Sequence, residues 1–280
     1  MNVVDSHLHV WDLDAGEYAW LGPERGELYR SFSPAEARAE LAVAGVEAAV
    51  LVQAEDSLRE TDRLLEVGKL FDFVAGVVGW VRLDQPAAAE EALDGFATSS
   101  LLRGVRHLVH DDPRDDFLEL PAVRRSLQLV MERDLAFDVP DAWPRHLSAV
   151  AALADALPDL SIVVDHLGKP PRGRDDLDDW AGALGAVATR PNTVAKVSGL
   201  QVEGLPLTAT ALRPVWETAL EKFGPARLMY GSDWPMTFAH GGYQATWQVL
   251  TGLVGELSPP EQQQVLGGTA RSVYRLEAVC

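Results

Sequence analysis

The sequence predicts one (β/α)8 barrel, and three features carry that expectation. Eight short β-rich runs alternate with helical patterns, at a spacing of about 30 residues. Runs such as Ile162-Val163-Val164 are apolar on consecutive residues, as expected of a parallel strand covered on both faces. No Pro/Gly-rich linker divides the chain, and its 280 residues fit the about 250 that such a barrel needs. One domain over residues 1–280 is expected. No phosphate-binding glycine fingerprint follows the first run, which disfavours an open dinucleotide-binding sheet.

In chain order, strands are expected at 3–7, 48–53, 74–80, 102–107, 136–139, 162–166, 194–198 and 227–231. Helix starts are readable between them. Ser33-Pro34-Ala35-Glu36 offers an N-cap, a proline at the first helical position and a capping-box glutamate. Ala37, Leu41 and Ala44 then share a face, and Gly45 stands where a C-terminal cap belongs. Ser57-Leu58-Arg59-Glu60 repeats the box ahead of Leu64, Val67 and Phe71. Val123, Leu127, Val130 and Met131 make the stripe of a further helix, and Ser258-Pro259-Pro260-Glu261 opens the last.

Composition excludes several classes of partner. A net charge of −18 repels nucleic acid and anionic membrane surfaces. The acidic stretches 111–119 and 175–179 read as solvated surface. No apolar run of membrane-spanning length occurs, and residues 1–5 lack the basic and apolar regions of a secretory signal. The sole cysteine, Cys280, can form no internal disulfide, so the cytoplasm is the expected compartment. Oligomeric state, including a homo-oligomer, is left open.

Chemistry in such a barrel sits at the C-terminal ends of the strands. Polar residues expected there are His7 and His9, then Arg106, His107 and His110, then Asp165 and His166, then Lys196 and Ser198, and finally Ser232 and Asp233. Five of the seven histidines fall at these ends, whereas His146 and His240 lie elsewhere. Side chains two apart on a strand share a face, so His7 and His9 can share one divalent ion. Closing the barrel makes strand eight the neighbour of strand one, which brings Asp233 to that pair. His166 reads equally as a catalytic or ligand imidazole and as a core histidine. Trp11, Trp80 and Trp234 end strands where flat rings could line a sugar-sized pocket or simply pack. Lys169, beside Pro170 and Pro171, is expected to fix loop geometry.

At these residues the chain resembles the amidohydrolase superfamily, in particular its sugar-lactonase branch. The similar segments are Val4-Asp5-Ser6-His7-Leu8-His9-Val10-Trp11-Asp12, Arg103-Gly104-Val105-Arg106-His107, Asp165-His166-Leu167-Gly168-Lys169-Pro170, Lys196-Val197-Ser198-Gly199-Leu200 and Tyr230-Gly231-Ser232-Asp233-Trp234-Pro235. The resemblance implies a hydrolase that opens a lactone ring, with Asp233 as general base. His7 and His9 would be the strand-one pair and His166 the strand-six histidine. Arg106 and His107 would meet substrate, with Ser198 and the three tryptophans as further contacts. It also implies at most one divalent ion, zinc being expected, held by His7, His9 and Asp233 with His166 as fourth ligand. Catalysis without metal is known in the branch and stays open. Strand four ends in Arg106-His107, with no bridging lysine or glutamate, and strand five reads Ala136-Phe137-Asp138-Val139, so a binuclear centre is not expected. Two alternatives remain. One is a metal-dependent decarboxylase of the same superfamily, although the usual strand-five histidine is missing. The other is a 2-pyrone-4,6-dicarboxylate-type lactonase, whose substrate would need several arginines such as Arg82, Arg106, Arg172 and Arg174 converging on the pocket.

Overall fold

The computed structural model describes residues 2–277, so Cys280 lies outside it. Eight parallel strands follow one another in sequence order: β1 Val4–Leu8, β2 Ala48–Val52, β3 Val74–Gly79, β4 Leu102–Arg106, β5 Ala136–Val139, β6 Ile162–Val164, β7 Thr193–Val197 and β8 Leu228–Tyr230. Helices α1 Pro34–Ala44, α2 Leu58–Leu70, α3 Pro86–Phe96, α4 Pro121–Glu132, α5 Leu147–Ala156, α6 Leu177–Ala188, α7 Ala209–Phe223 and α8 Gly242–Val254 alternate with them. All eight predicted strands form, within two residues at every boundary. No helix among the described residues is long and apolar enough to cross a membrane.

Barrel closure is made just beyond β8. The Asp233 N–H donates to the His7 carbonyl at 2.8 Å, and the His9 N–H donates to the Trp234 carbonyl at 2.8 Å. Leu8 and Trp234 bridge in parallel between them. The residues predicted to do chemistry are therefore the ones whose backbones sew the sheet shut. Pairing along β1 slips between Asp5 and Leu8. Such an irregularity re-aims the side chains that follow it.

The capping signals are met in part. Ser33 and Glu36 form the reciprocal box, and Gly45 ends α1 in the left-handed region. Ser57 caps the Glu60 N–H, but the Glu60 carboxylate reaches past Ser57 to accept from Ala54 N–H at 2.9 Å. That carboxylate is buried, and its pull on the chain after β2 outweighs the ordinary box.

Two buried clusters follow from the geometry. The larger lies between strands and helices and holds Leu51, Val77, Phe137, Ile162 and Trp180. The smaller joins Val4, Val50, Val78, Ala136, Val163, Val194 and Met229, from seven of the eight strands, to Ala270 and Tyr274 at the C-terminal end. It is the lumen, packed with small and branched side chains and plugged from below. Above this apolar layer the lumen turns ionic, and above that it opens.

Candidate active site

The ionic layer comes first, because it supports everything over it. Lys196 of β7 is fully buried, with its Nζ 2.6 Å from Asp138 Oδ2, 3.0 Å from Asp165 Oδ1 and 3.1 Å from His7 Nδ1. Tyr274 donates its hydroxyl to Asp138 Oδ2 at 2.7 Å. Arg106 reaches Asp165 Oδ2 at 3.3 Å and also donates to the Gln53 carbonyl. Burial pushes the Asp138 carboxyl up to about 6 despite Lys196. Burial pushes Asp165 the same way, but Lys196, His7 and Arg106 outweigh it and hold Asp165 well below the usual carboxylate range. Both carboxylates share the Lys196 ammonium, and Asp165 alone also has His7 and Arg106, which is the reason for the split.

Over this layer stand three imidazoles and one carboxylate. His9 donates Nδ1–H to the Val52 carbonyl at 2.7 Å, which leaves its Nε2 lone pair facing inward. Its Nε2 lies 3.1 Å from His7 Nε2. His166 Nδ1 is 2.9 Å from Ser198 Oγ, so its Nε2 is the free atom. Asp233 Oδ1 is 3.5 Å from His9 Nε2, 3.7 Å from His7 Nε2 and 3.8 Å from His166 Nε2. Gln201 donates to the other oxygen, Oδ2, at 2.9 Å. Burial alone would raise the Asp233 carboxyl, but the facing imidazoles of His166, His9 and His7 hold it far below the usual range. Burial pushes His7 and His166 below the ordinary imidazole value, so both rings are neutral at neutral pH.

This donor set fits one cation. Two ligands about 2.0–2.1 Å from a tetrahedral ion stand roughly 3.4 Å apart, and the separations above bracket that figure. Ligand atoms of His7, His166 and Asp233 lie within 4.8 Å of one another. His9 Nε2 stands beside that group, close to His7 and Asp233. Each outer nitrogen of the rings is already committed, to Val52, Ser198 or the Asp165–Lys196 pair, as ligating imidazoles usually are.

Backbone strain accompanies the site. His166, Leu167 and Lys169 carry φ of 56, 54 and 65°, and Asp233 has φ 56°. Left-handed backbone is costly for side-chain-bearing residues and gathers at functional positions. Two glycines make room for the rings. A Cβ on Gly231 would come within 2.8 Å of His7 Cβ, and one on Gly199 (φ +59°) within 2.2 Å of His166 Nδ1. Gly199→Ala should therefore push the His166 ring off Ser198, and a shift near 1 Å typically costs about 100-fold in turnover. Steady-state kinetics beside a thermal melt would check this; near-normal turnover would show that the ring position is unimportant.

A cavity of about 310 Å³ opens over the imidazoles. Of the sequence-predicted residues, His9, Trp11, Arg106, His110, His166, Lys169 and Asp233 line it. Others lie elsewhere. His107 stacks on Phe117 with centroids 4.2 Å apart and sits between Asp56 (3.0 Å) and Asp112 (3.3 Å). It ties down the chain after β4 and is not a lining residue. Trp80 donates its indole N–H to His107 at 3.1 Å, so it belongs to the same anchor. Trp234 packs edge-to-face on Phe32, and Ser198 orients His166 from beneath. Arg172 is spent on the carbonyls of Leu200 and Pro206, Arg174 on Asp176, and Arg82 lies over Trp80. The convergence of arginines expected for a dicarboxylate is absent among the described residues. Arg25 instead joins Arg106 on the cavity.

Trp20, Arg25, Asp141, Gln201 and Met236 line the cavity without having been singled out from the sequence. Asp141 follows β5 by two residues, so the strand-end rule could have found it. Gln201 extends the quoted segment after β7. Trp20 and Arg25 sit in the long connection between β1 and α1, whose length alone marks a functional loop.

Comparison with known proteins agrees with this geometry. The chain is 33% identical over 279 residues to L-fucono-1,5-lactonase of Burkholderia ambifaria, covering 98% of this chain and 96% of that protein. A crystal structure of an amidohydrolase from Burkholderia multivorans with bound zinc is 32% identical, with a TM-score of 0.90 over 99% of this chain and 100% of that one. A putative 2-pyrone-4,6-dicarboxylic acid hydrolase from Pseudomonas putida shares the fold at 23% identity, with a TM-score of 0.78 over 99% and 98% of the two chains. The amidohydrolase family model matches residues 4–276, from the first strand to the C-terminal plug, and the chain belongs to that family of hydrolytic enzymes.

Proposed function

We propose that this enzyme opens the ring of a sugar (aldono-)lactone by attack of water, with Asp233 as general base. The observation that carries the reading is one ionised, buried carboxylate faced by three imidazoles at the floor of a cavity sized for a single sugar ring. The lactonase relatives at 33% identity favour a lactone among the esters and amides that such a floor could hydrolyse. Asp233 takes a proton from the attacking water as the new C–O bond forms. The ring C–O bond then breaks, and the proton passes to the departing alkoxide to leave a hydroxy acid. Arg106, a donor on the cavity wall, would stabilise the negative charge that develops on the carbonyl oxygen. His7, His166 and Asp233, with His9 beside them, would hold one divalent ion, and zinc suits their nitrogen and oxygen donors. Such an ion supplies a lowered water pKa and a polarised carbonyl. The whole chain, 1–280, acts in this reading as one catalytic domain on a small molecule.

A pH-indicator assay over five- and six-membered aldonolactones tests the proposal. Acid release well above the spontaneous rate is expected for at least one of them. Chelation should lower that rate by about tenfold or more, with zinc restoring it. Release that survives chelation would assign oxyanion stabilisation to Arg106 alone. No acid from any lactone, with carbon dioxide from a carboxylic acid panel, would replace the reading by a decarboxylase.

A further inference from the structure

We infer that Asp141 and Lys169 are the residues with which this site reads hydroxyl groups on its substrate. The inference deepens the lactone reading and rests on it. The cavity has two unlike halves, set by strand order. Loops after β1 and β8, which are neighbours in the closed barrel, contribute Trp11, Trp20 and Met236, with the Arg25 guanidinium 5.8 Å from the Trp20 ring centroid. Loops after β4, β5 and β6, on the far arc, contribute His110, Asp141 and Lys169. A ring with C–H groups along one side and contiguous hydroxyls along the other matches such a partition.

Asp141 and Lys169 are built for display. Both are held in left-handed backbone, at φ 46° and 65°, an expensive conformation for lysine in particular. Lys169 donates to the Gly199 carbonyl at 3.1 Å, and its ammonium stands 3.9 Å from Asp141 Oδ2, too far for a good hydrogen bond. Asp141 Oδ1 is buried, and Oδ2, on a side chain 28% exposed, is the oxygen that faces the cavity with no hydrogen-bond partner among the described residues. A carboxylate with one idle oxygen beside an ammonium with idle protons can accept from one hydroxyl and donate to the next. Lys169 is matched with Asp141 and Arg106 with Asp165, while Asp111 stands 3.7 Å from His110, whose charged form burial disfavours. A phosphate or second carboxylate on the substrate would meet Asp111 and Asp141 without a free cation on this arc. On this arc the pair therefore favours neutral hydroxyl groups over a second anion.

The experiment compares Asp141→Asn and Lys169→Gln with the wild type on a polyhydroxylated δ-lactone and on unsubstituted δ-valerolactone. Asparagine tolerates left-handed backbone, so the first variant keeps the loop. The ratio of kcat/KM between the two lactones should fall about tenfold or more in Asp141→Asn, mainly through KM, because an ionised acceptor for hydroxyls has been lost. Lys169→Gln should lower the same ratio. Equal losses on both lactones would mean a role in folding or positioning and would overturn the inference. A binding titration with a polyhydroxylated δ-lactam, which is not turned over, separates this from the lactone reading. Weaker lactam binding by Asp141→Asn supports the inference even if no lactone is hydrolysed, and unchanged lactam binding refutes it even if lactones are.

Discussion

Asp233→Asn should lose about 10³-fold or more in kcat while its melting temperature stays near that of the wild type. The fold is spared for two reasons. Asparagine accepts the φ of 56° that this position requires, and its N–H still sews β8 to His7. Turnover is not spared, because an amide cannot take a proton from water. Asp233 is also one of the groups that would hold zinc, so the metal content of the variant must be measured beside its rate. Loss of turnover with zinc retained assigns the proton to Asp233, whereas retention of more than a few per cent of activity would put the base elsewhere. The pH profile carries the same logic. The imidazoles hold Asp233 far below the usual range, so its ionisation cannot set the acid limb of the wild-type enzyme. Where no ion is bound, that limb falls to His7 and His166, whose neutral forms burial favours. A lowered imidazole pKa keeps the ring neutral below its ordinary 6.5, so kcat/KM should stay level through pH 6.5 and fall only at more acid values. A drop centred at or above 6.5 would contradict the burial of both rings.

How far this site could be read from the chain depends on what kind of signal each residue sends. His7 and His9 announce themselves by spacing, and Asp233 by following the last strand, because strand-end position is a local property. Short β-rich runs also mark the eight strands, since parallel strands covered on both faces are apolar on consecutive residues. Trp80, Trp234 and His107 satisfied the same positional rule yet turn away from the cavity. Position along a strand does not say which side chain a neighbouring loop will claim, and Phe117, Phe32 and Asp112 claim these. Asp138 stands in plain view on strand five, but nothing in its local pattern marks it. Its role depends on Lys196, 58 residues away, and on Tyr274 from the C-terminal plug, 136 residues away. Only closure of the barrel makes them partners. Trp20 and Arg25 come from a loop with no periodicity at all, where pattern reading has nothing to hold.

Lys196→Met should be the most destabilising single change among the buried polar residues, at roughly 3–5 kcal/mol, because it leaves two buried carboxylates with one cation fewer. In a chain of this size that corresponds to roughly 10 °C in melting temperature. The two carboxylates differ in what remains to them. Asp165 keeps Arg106 and His7, whereas Asp138 keeps only the Tyr274 hydroxyl. Asp138 is already pushed up to about 6 with the ammonium in place, and without it the carboxyl rises further. The sign of the pH effect follows. A carboxyl whose folded pKa exceeds its unfolded value costs nothing when both states are protonated; the cost grows as pH rises through the two values and is greatest above the folded one. The Lys196→Met deficit should therefore be largest at neutral and alkaline pH and shrink as pH falls through 6 toward 4. Adding Asp138→Asn removes the orphaned charge while keeping an acceptor for Tyr274, so the double variant should recover a good part of the lost melting temperature and lose most of the pH dependence. Turnover should not recover with it, since Lys196 and Asp165 together orient the His7 ring whose inner nitrogen faces Asp233. A single variant as stable as the wild type at pH 8 would mean that Asp138 is protonated in the native protein, and the ionic layer under the imidazoles would then hold one negative charge instead of two.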